Sequence, residues 1–168
     1  MTHKTKRHLI QGALAIALIL SIQPTPKAVA STHYKIGDRT PTGGTIFYIL
    51  PADTQSLWHY LEVAPNNWNQ GKPVYPTYRQ AESQIYTYKG GDWYIPSEQE
   101  FQTLYAQYKA KRLPNITIQP GRYWTSTGTT QLKKITSLQV FSTTTKKTAR
   151  YTNLSSSNIR VRPIRYLD

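Results

Sequence analysis

The chain contains no cysteine, and this absence excludes several kinds of chemistry. It can form no disulfide, thiol nucleophile or N-terminal lipidated cysteine, and it lacks the oxidative cysteine site of formylglycine-generating enzymes. Of the four histidines, only His33 and His59 lie beyond residue 30, which is too few for a histidine metal cage. We therefore expect no metal ion and no cofactor.

Acidic residues are also scarce, since 8 Asp and Glu face 21 Lys and Arg. Glu98 and Glu100 could suggest a glycosidase pair, but both lie at a predicted helix start, where capping and the helix dipole account for them. His59 has no serine partner in a G-x-S-x-G context. The loop at 66–69 offers amides without a carboxylate, so calcium is not expected. The sequence predicts a non-catalytic protein.

Residues 1–30 have the pattern of a secretory signal peptide. Three cations precede a mostly apolar run at 9–22, and Ala28-Val29-Ala30 forms a cleavage site. The run is shorter than the roughly 20 residues that span a bilayer, although an uncleaved anchor is the alternative. No later segment could span. We expect a secreted or cell-surface protein, cleaved after Ala30, whose mature chain has no transmembrane segment.

Residues 31–168 are predicted to form a single domain. Four of the 21 Lys and Arg residues lie in the leader, so 17 basic residues remain against 8 acidic ones, a net charge of +9. A secreted domain with this charge suggests a polyanionic partner, whereas intracellular nucleic acid conflicts with the leader. The alternative is that the charge only aids solubility.

The stretch 90–101 predicts the junction between the sheet and a helix. Two glycines precede a short extended run, Trp93-Tyr94-Ile95, and Ser97 with Glu100 fits a capping box. The helix that follows places four apolar residues on one face: Phe101, Leu104, Tyr105 and Tyr108. An earlier helix of about ten residues, capped by Thr77, has an inner side made of Tyr78, Ala81 and Ile85.

The rest of the chain is predicted to consist mainly of β-strands. Strands are predicted at 45–50, 58–63, 122–126, 135–142 and 159–166, with a hairpin turn at 143–147 leading through Tyr151. Trp93 and Trp124 are predicted to be core residues. Strands, two helices and further strands indicate an α+β fold, in which two helices pack on a mostly antiparallel β-sheet.

Six blocks in order resemble a known family. They are Tyr34-Lys35-Ile36-Gly37-Asp38, Gly43-Gly44-Thr45-Ile46-Phe47-Tyr48, Leu61-Glu62-Val63-Ala64-Pro65, Asp92-Trp93-Tyr94-Ile95-Pro96-Ser97-x-x-Glu100, Gly121-x-Tyr123-Trp124-Thr125-Ser126-Thr127 and Val161-Arg162-Pro163-Ile164-Arg165. Together they are similar to the C-terminal domain of the Legionella-type collagen-like adhesin (the Lcl C-terminal domain family). The resemblance implies a C-type-lectin-like fold, surface display, and glycosaminoglycan binding by a trimer. This chain has no Gly-x-y collagen stalk that would enforce a homotrimer.

Basic residues are dense in the last third of the chain, where Asp168 is the one acid after Glu100. We predict a polyanion-binding face formed by Lys133, Lys134, Lys146, Lys147, Arg150, Arg160 and Arg162. The alternative is a solvated sheet face. Arg162 and Arg165 also belong to the family blocks, so an architectural role is equally open for them. Arg165 could pair inward with Glu62 or Asp92.

Two further sets of residues are candidates. Lys109, Lys111 and Arg112 form a second basic patch at the predicted end of the second helix, where the helix dipole alone could account for them. Trp68, in a polar loop, could stack on a sugar ring. The prediction is an adhesin-type domain that binds sulfated or acidic polysaccharide without catalysis. The alternative is a structural or protein-interaction module of the cell envelope.

Overall fold

The computed structural model describes residues 33–69, 77–131, 134–156 and 158–168. The predicted leader, residues 1–30, lies outside these ranges, as does Lys133. The elements in chain order are β1 (Thr45–Ile49), β2 (Tyr60–Val63), α1 (Tyr78–Tyr86), a 3₁₀ turn (Tyr88–Gly90), α2 (Glu98–Lys109), β3 (Arg122–Gln131), β4 (Lys134–Ser142), β5 (Lys147–Tyr151) and β6 (Ile164–Leu167). The chain is therefore α+β, as predicted.

The strands form two antiparallel three-stranded sheets rather than one. The first sheet has the order β1-β2-β6, and the second has the order β3-β4-β5. The predicted hairpin joins β4 to β5, with Ser142 opposite Lys147 across the turn. β3 continues past the predicted end at residue 126 because its later residues, from Gly128 onward, pair with the first half of β4.

The segment 159–164 connects the two sheets. Arg160 forms a parallel bridge with Tyr123 of β3, and Ile164 at the start of β6 pairs with Tyr94. The predicted strand 159–166 is thus regular only from Ile164, since Pro163 cannot donate a ladder hydrogen bond. Likewise, the extended run around Tyr94 contributes one bridge and no regular strand of its own.

Both helices begin where their caps predict. Ser97 and Glu100 form the predicted capping box of α2, and Thr77 forms a second one with Gln80. The predicted inner residues of α1 are buried, and in α2 the buried pair is Phe101 and Leu104. The other two predicted face residues, Tyr105 and Tyr108, are partly buried against the same core.

The second sheet is buried on both faces, which the sequence pattern did not predict. Tyr123 and Phe141 belong to a core with Phe101 of α2. Their strand neighbours Trp124 and Val140 point the other way, into a core that contains α1 and the predicted core residue Trp93. The two helices therefore cover opposite faces of one sheet. We call these faces the α2 side and the α1 side.

A buried ion pair joins β2 to β6. The carboxylate of Glu62, which has 0% exposure, contacts Nε of Arg165, as the first of the two predicted pairings requires. Thr40 donates its hydroxyl to Glu62 Oε2 at 2.5 Å, and Arg165 Nη2 donates to Thr42 Oγ1 at 2.8 Å. The guanidinium carbon lies 4.7 Å from the centre of the Trp93 ring, a cation–π contact.

Gly44 makes room for this pair. A Cβ at position 44 would collide with the carboxylate of Glu62, so no other residue fits without moving the ion pair. The Gly43-Gly44 pair in the sequence therefore has a packing reason at position 44.

Replacing Arg165 by alanine should leave the Glu62 carboxylate buried without its cation. We expect the free energy of unfolding to fall by about 3–5 kcal/mol, the usual loss when one partner of a buried pair is removed. Urea denaturation measures this, with the exposed Lys147→Ala as control, which should stay within about 0.5 kcal/mol of the parent. A loss below about 1 kcal/mol for Arg165→Ala would contradict the structural role of the pair.

Stability should also fall at alkaline pH through Tyr78. Burial, with a smaller effect of the Glu82 carboxylate, raises the pKa of Tyr78 to about 12. An unfolded tyrosine titrates near pH 10, so the unfolded chain loses this proton first and the stabilisation present below about pH 10 is lost as pH rises. We expect Tyr78 to account for about 1 kcal/mol of loss between about pH 9 and 11. Urea titrations of Tyr78→Phe should show a correspondingly shallower pH slope, and an unchanged slope would refute this.

Candidate functional site

The β4–β5 turn presents exposed cations at one end of the second sheet. Lys146 lies in the turn with φ 56°, Lys147 begins β5, and Arg150 lies three residues further on. All three side chains are exposed. Because strand side chains alternate, Lys147 and Arg150 point to opposite faces of the sheet. Lys147 lies on the α1 side, and Arg150 lies on the α2 side, where its Nε donates to Ser137 Oγ at 2.8 Å.

The second predicted patch lies at the same end of the domain. Tyr105 of α2 donates its hydroxyl to the carbonyl of Thr143, in the β4–β5 turn, at 3.0 Å. Lys109 lies one helical turn beyond Tyr105, and Lys111 and Arg112 follow it; all three are exposed. Two basic clusters that are separate in sequence are thereby brought together.

We call this surface the basic end and define it by five exposed cations: Lys109, Lys111, Arg112, Lys146 and Lys147. None of the five lies within ion-pair distance of a carboxylate in the described part of the chain. Lys109 and Lys111 also border a cleft of about 340 Å³ with Tyr108 and Ile116. The arrangement concentrates positive charge where solvent and a ligand can reach it.

Arg122 is a further basic residue near this end, and the sequence patterns missed it. It lies opposite Ser142, which in turn lies opposite Lys147, so the three residues share the α1 side of the sheet. Its guanidinium contacts the hydroxyl of Tyr151 and lies 5.3 Å from the centre of that ring. A cross-strand register of this kind can be read only once the strand pairing is known.

Lys134 does not join the basic end. It begins β4, eight residues from Ser142, which places it about 26 Å away along the strand. Its side chain is exposed, and a register shift at Thr136 lies between it and the hairpin half of β4. The predicted face is thus divided between two ends of the second sheet.

Arg162 corrects the predicted polyanion face, because it lies inside the domain with 5% exposure. Its guanidinium donates to three oxygens: Pro65 O at 3.3 Å, Asn66 Oδ1 at 2.6 Å and Thr117 O at 2.7 Å. Burial lowers the pKa of Arg162 to about 10, with the nearby Tyr123 opposing this effect. The side chain serves the architectural role that was the open alternative.

Arg160 is half-buried beside β3. Its Nε would lie 3.1 Å from a Cβ placed on Gly121, whose φ is 142°, so the glycine leaves room for the arginine. Arg160 and Arg162 do share a side of their segment, two residues apart, but that side is packed against the chain.

The aromatic side chains also differ in how much of their surface is open to a ligand. Trp68 is half-buried, with its ring edge-to-face with Tyr88 at 6.0 Å, so little of it is available for a sugar. A stack that the sequence analysis missed is more open: Tyr166, 46% exposed, lies between Trp58 at 4.6 Å and Tyr94 at 5.1 Å. Only the pairing of β6 with β2 and with Tyr94 brings these three rings together.

The two acids at the start of α2 have structural partners. Glu100 accepts from the Ser97 backbone at 2.7 Å and from the Tyr94 hydroxyl at 2.8 Å. Glu98 accepts from Thr148 at 2.6 Å and from Gln102 at 3.0 Å. Among the described residues, no group of three His, Asp or Glu is arranged to hold a metal ion. No helix there has both the length and the apolar character that a membrane span requires.

No protein-family model matches the chain, and no curated protein sequence matches it significantly. The resemblance to the collagen-like adhesin domain therefore remains a prediction from the sequence blocks.

Arg162 offers a test of its structural role. Arg162→Ala removes a guanidinium that satisfies three oxygens, so we expect the free energy of unfolding to fall by about 3 kcal/mol. The exposed Arg150→Ala serves as control and should change it by less than about 1 kcal/mol. Urea denaturation measures both. A stable Arg162→Ala variant that binds heparin less well than the parent would instead make Arg162 a ligand residue.

Proposed function

We propose that this chain is a secreted or surface-exposed, non-catalytic domain that binds sulfated or acidic polysaccharide through the basic end. The observation that carries the proposal is the hydrogen bond from Tyr105 to Thr143, which links the helix that ends in one basic cluster to the turn that carries the other. The five cations of the basic end are exposed, and none has a described carboxylate at ion-pair distance.

The chemistry of the surface fits a polymer of sulfates or carboxylates. Lysine presents a mobile point charge, and the single arginine, Arg112, can make a bidentate contact. Each exposed pair is worth only about 0.2–1 kcal/mol, so useful affinity requires several contacts at once. A repeating polyanion supplies them, and its binding should weaken with salt because the contacts are solvent-exposed.

The remaining parts of the proposal rest on the sequence. Residues 1–30 provide the export signal, and the six sequence blocks support a C-type-lectin-like version of this α+β fold. A homotrimer would multiply weak contacts by avidity, and light scattering on the mature chain decides whether one forms.

A structural module of the cell envelope is the second candidate, because β5 is the edge strand of its sheet. Lysine and arginine on an edge strand hinder pairing with other chains, and Lys147 and Arg150 occupy such positions. In that case the charge protects the edge and has no glycan ligand.

Heparin affinity chromatography of the mature domain separates the two candidates. We expect retention at physiological salt, and two double variants, Lys109→Gln/Lys111→Gln and Lys146→Gln/Lys147→Gln, should each weaken binding roughly tenfold, about 1.4 kcal/mol. The matched control Arg39→Gln/Lys89→Gln removes the same charge from exposed residues outside the basic end. It should lose at most about a third of that free energy.

The outcomes decide between the candidates. Equal losses in all three double variants would indicate a non-specific effect of net charge. No retention of the parent at physiological salt would refute polysaccharide binding and favour the structural module.

A further inference from the structure

A cleft of about 460 Å³ lies at the far end of the second sheet from the basic end. Three elements form it: the first turn of α1, the start of β4 and the loop that follows β5. Its lining includes Arg79 from α1, Lys134 and Thr136 from β4, and Asn153 and Ser155 from the loop. The loop is fixed to the helix by a hydrogen bond of 3.2 Å from the Tyr78 backbone N–H to the Leu154 carbonyl.

The cleft carries two cations without a compensating acid. Arg79 and Lys134 are both exposed, and neither lies within ion-pair distance of a described carboxylate. The first turn of α1 contains no acidic residue, so the positive end of the helix dipole is not offset there. Glu82, three residues after Arg79, lines a different cleft with Tyr86 and Trp93. Two like charges that line one cleft suit an anionic group, and Ile135 and Leu154 supply apolar surface beside them.

The α1 side of β5 leads from Lys147, one of the five cations of the basic end, towards the cleft. On the α1 side of β5 lie the side chains of Lys147, the exposed Ala149 and Tyr151. The next two residues of the chain, Thr152 and Asn153, line the cleft. Arg122, on the same side of the sheet, contacts the hydroxyl of Tyr151 with its guanidinium, so a further cation lies between the two ends of this line. The distance from Lys147 to Lys134, about 26 Å, follows from the register of β4 and β5.

We propose that the Arg79–Lys134 cleft is a second subsite for a sulfate or carboxylate group of the same polysaccharide, which runs along the α1 side of β5 from the basic end. This inference rests on the proposed function, and it predicts a minimum length for a polysaccharide that occupies both sites. A chain that spans about 26 Å engages both sites, and the second contact is then intramolecular and strengthened by effective concentration. A shorter chain occupies one site at a time.

Heparin oligosaccharides of graded length test this by titration calorimetry on the full mature domain. The variant Arg79→Gln/Lys134→Gln should weaken binding of chains longer than about 26 Å roughly tenfold and leave the binding of shorter chains at the basic end within about twofold. The matched control Lys89→Gln/Arg150→Gln removes two exposed charges that do not lie on this line. It should change both affinities by less than about threefold. Urea midpoints confirm that each variant is folded.

The possible failures are distinguishable. If binding of long heparin depends on Lys146 and Lys147 but is unchanged in Arg79→Gln/Lys134→Gln, the second subsite is wrong and the proposed function stands. Equal losses for short and long chains also overturn the subsite, because they show no length threshold. A parent domain that binds heparin of no length overturns both proposals.

Discussion

The buried contact between Glu62 and Arg165 is the interaction on which the rest of this domain depends. It holds β2 to β6, draws in the hydroxyls of Thr40 and Thr42, and places a guanidinium over Trp93. Three regions far apart in sequence therefore meet at one charged group. Because an unpaired buried charge is costly, the pair constrains all three regions together, and Gly44 is required because nothing larger fits beside it.

Two arginines lie inside the domain, whereas most other cations of the described chain lie at its surface. The side chains of Arg162 and Arg165 are buried. Each donates hydrogen bonds to oxygens that would otherwise be buried and unsatisfied. Lysines, which are more strongly hydrated, stay outside at the basic end. The two buried arginines thus stabilise the interior, and four of the five cations of the basic end are lysines, which suits adaptable contacts to a polymer.

The position of α2 gives the basic end its shape. Its first turn contacts Thr148 through Glu98, and its later turns contact the β4–β5 turn through Tyr105, so the helix runs along the second sheet and ends beside the hairpin. The C-terminal cations of the helix, which satisfy its dipole, are thereby added to those of the hairpin. α1 covers the opposite face and leaves the β5 edge open, which creates the line towards the Arg79–Lys134 cleft.

Local signals were sufficient for the elements that depend on neighbouring residues. The capping box of Ser97 with Glu100, the inner side of α1, the hairpin after Ser142 and the burial of Trp93 and Trp124 were all predictable, because each depends on spacing within a few residues or on side-chain size. The pairing of Arg165 with Glu62 was one of two predicted choices. Only the tertiary structure decided that two sheets form, that Arg162 is internal, that Lys134 is separated from the hairpin, and that α2 brings its lysines to it. Those outcomes depend on strand pairing and helix packing between residues far apart in the chain, and a charge pattern along the sequence carries no information about which side of such a pairing faces solvent.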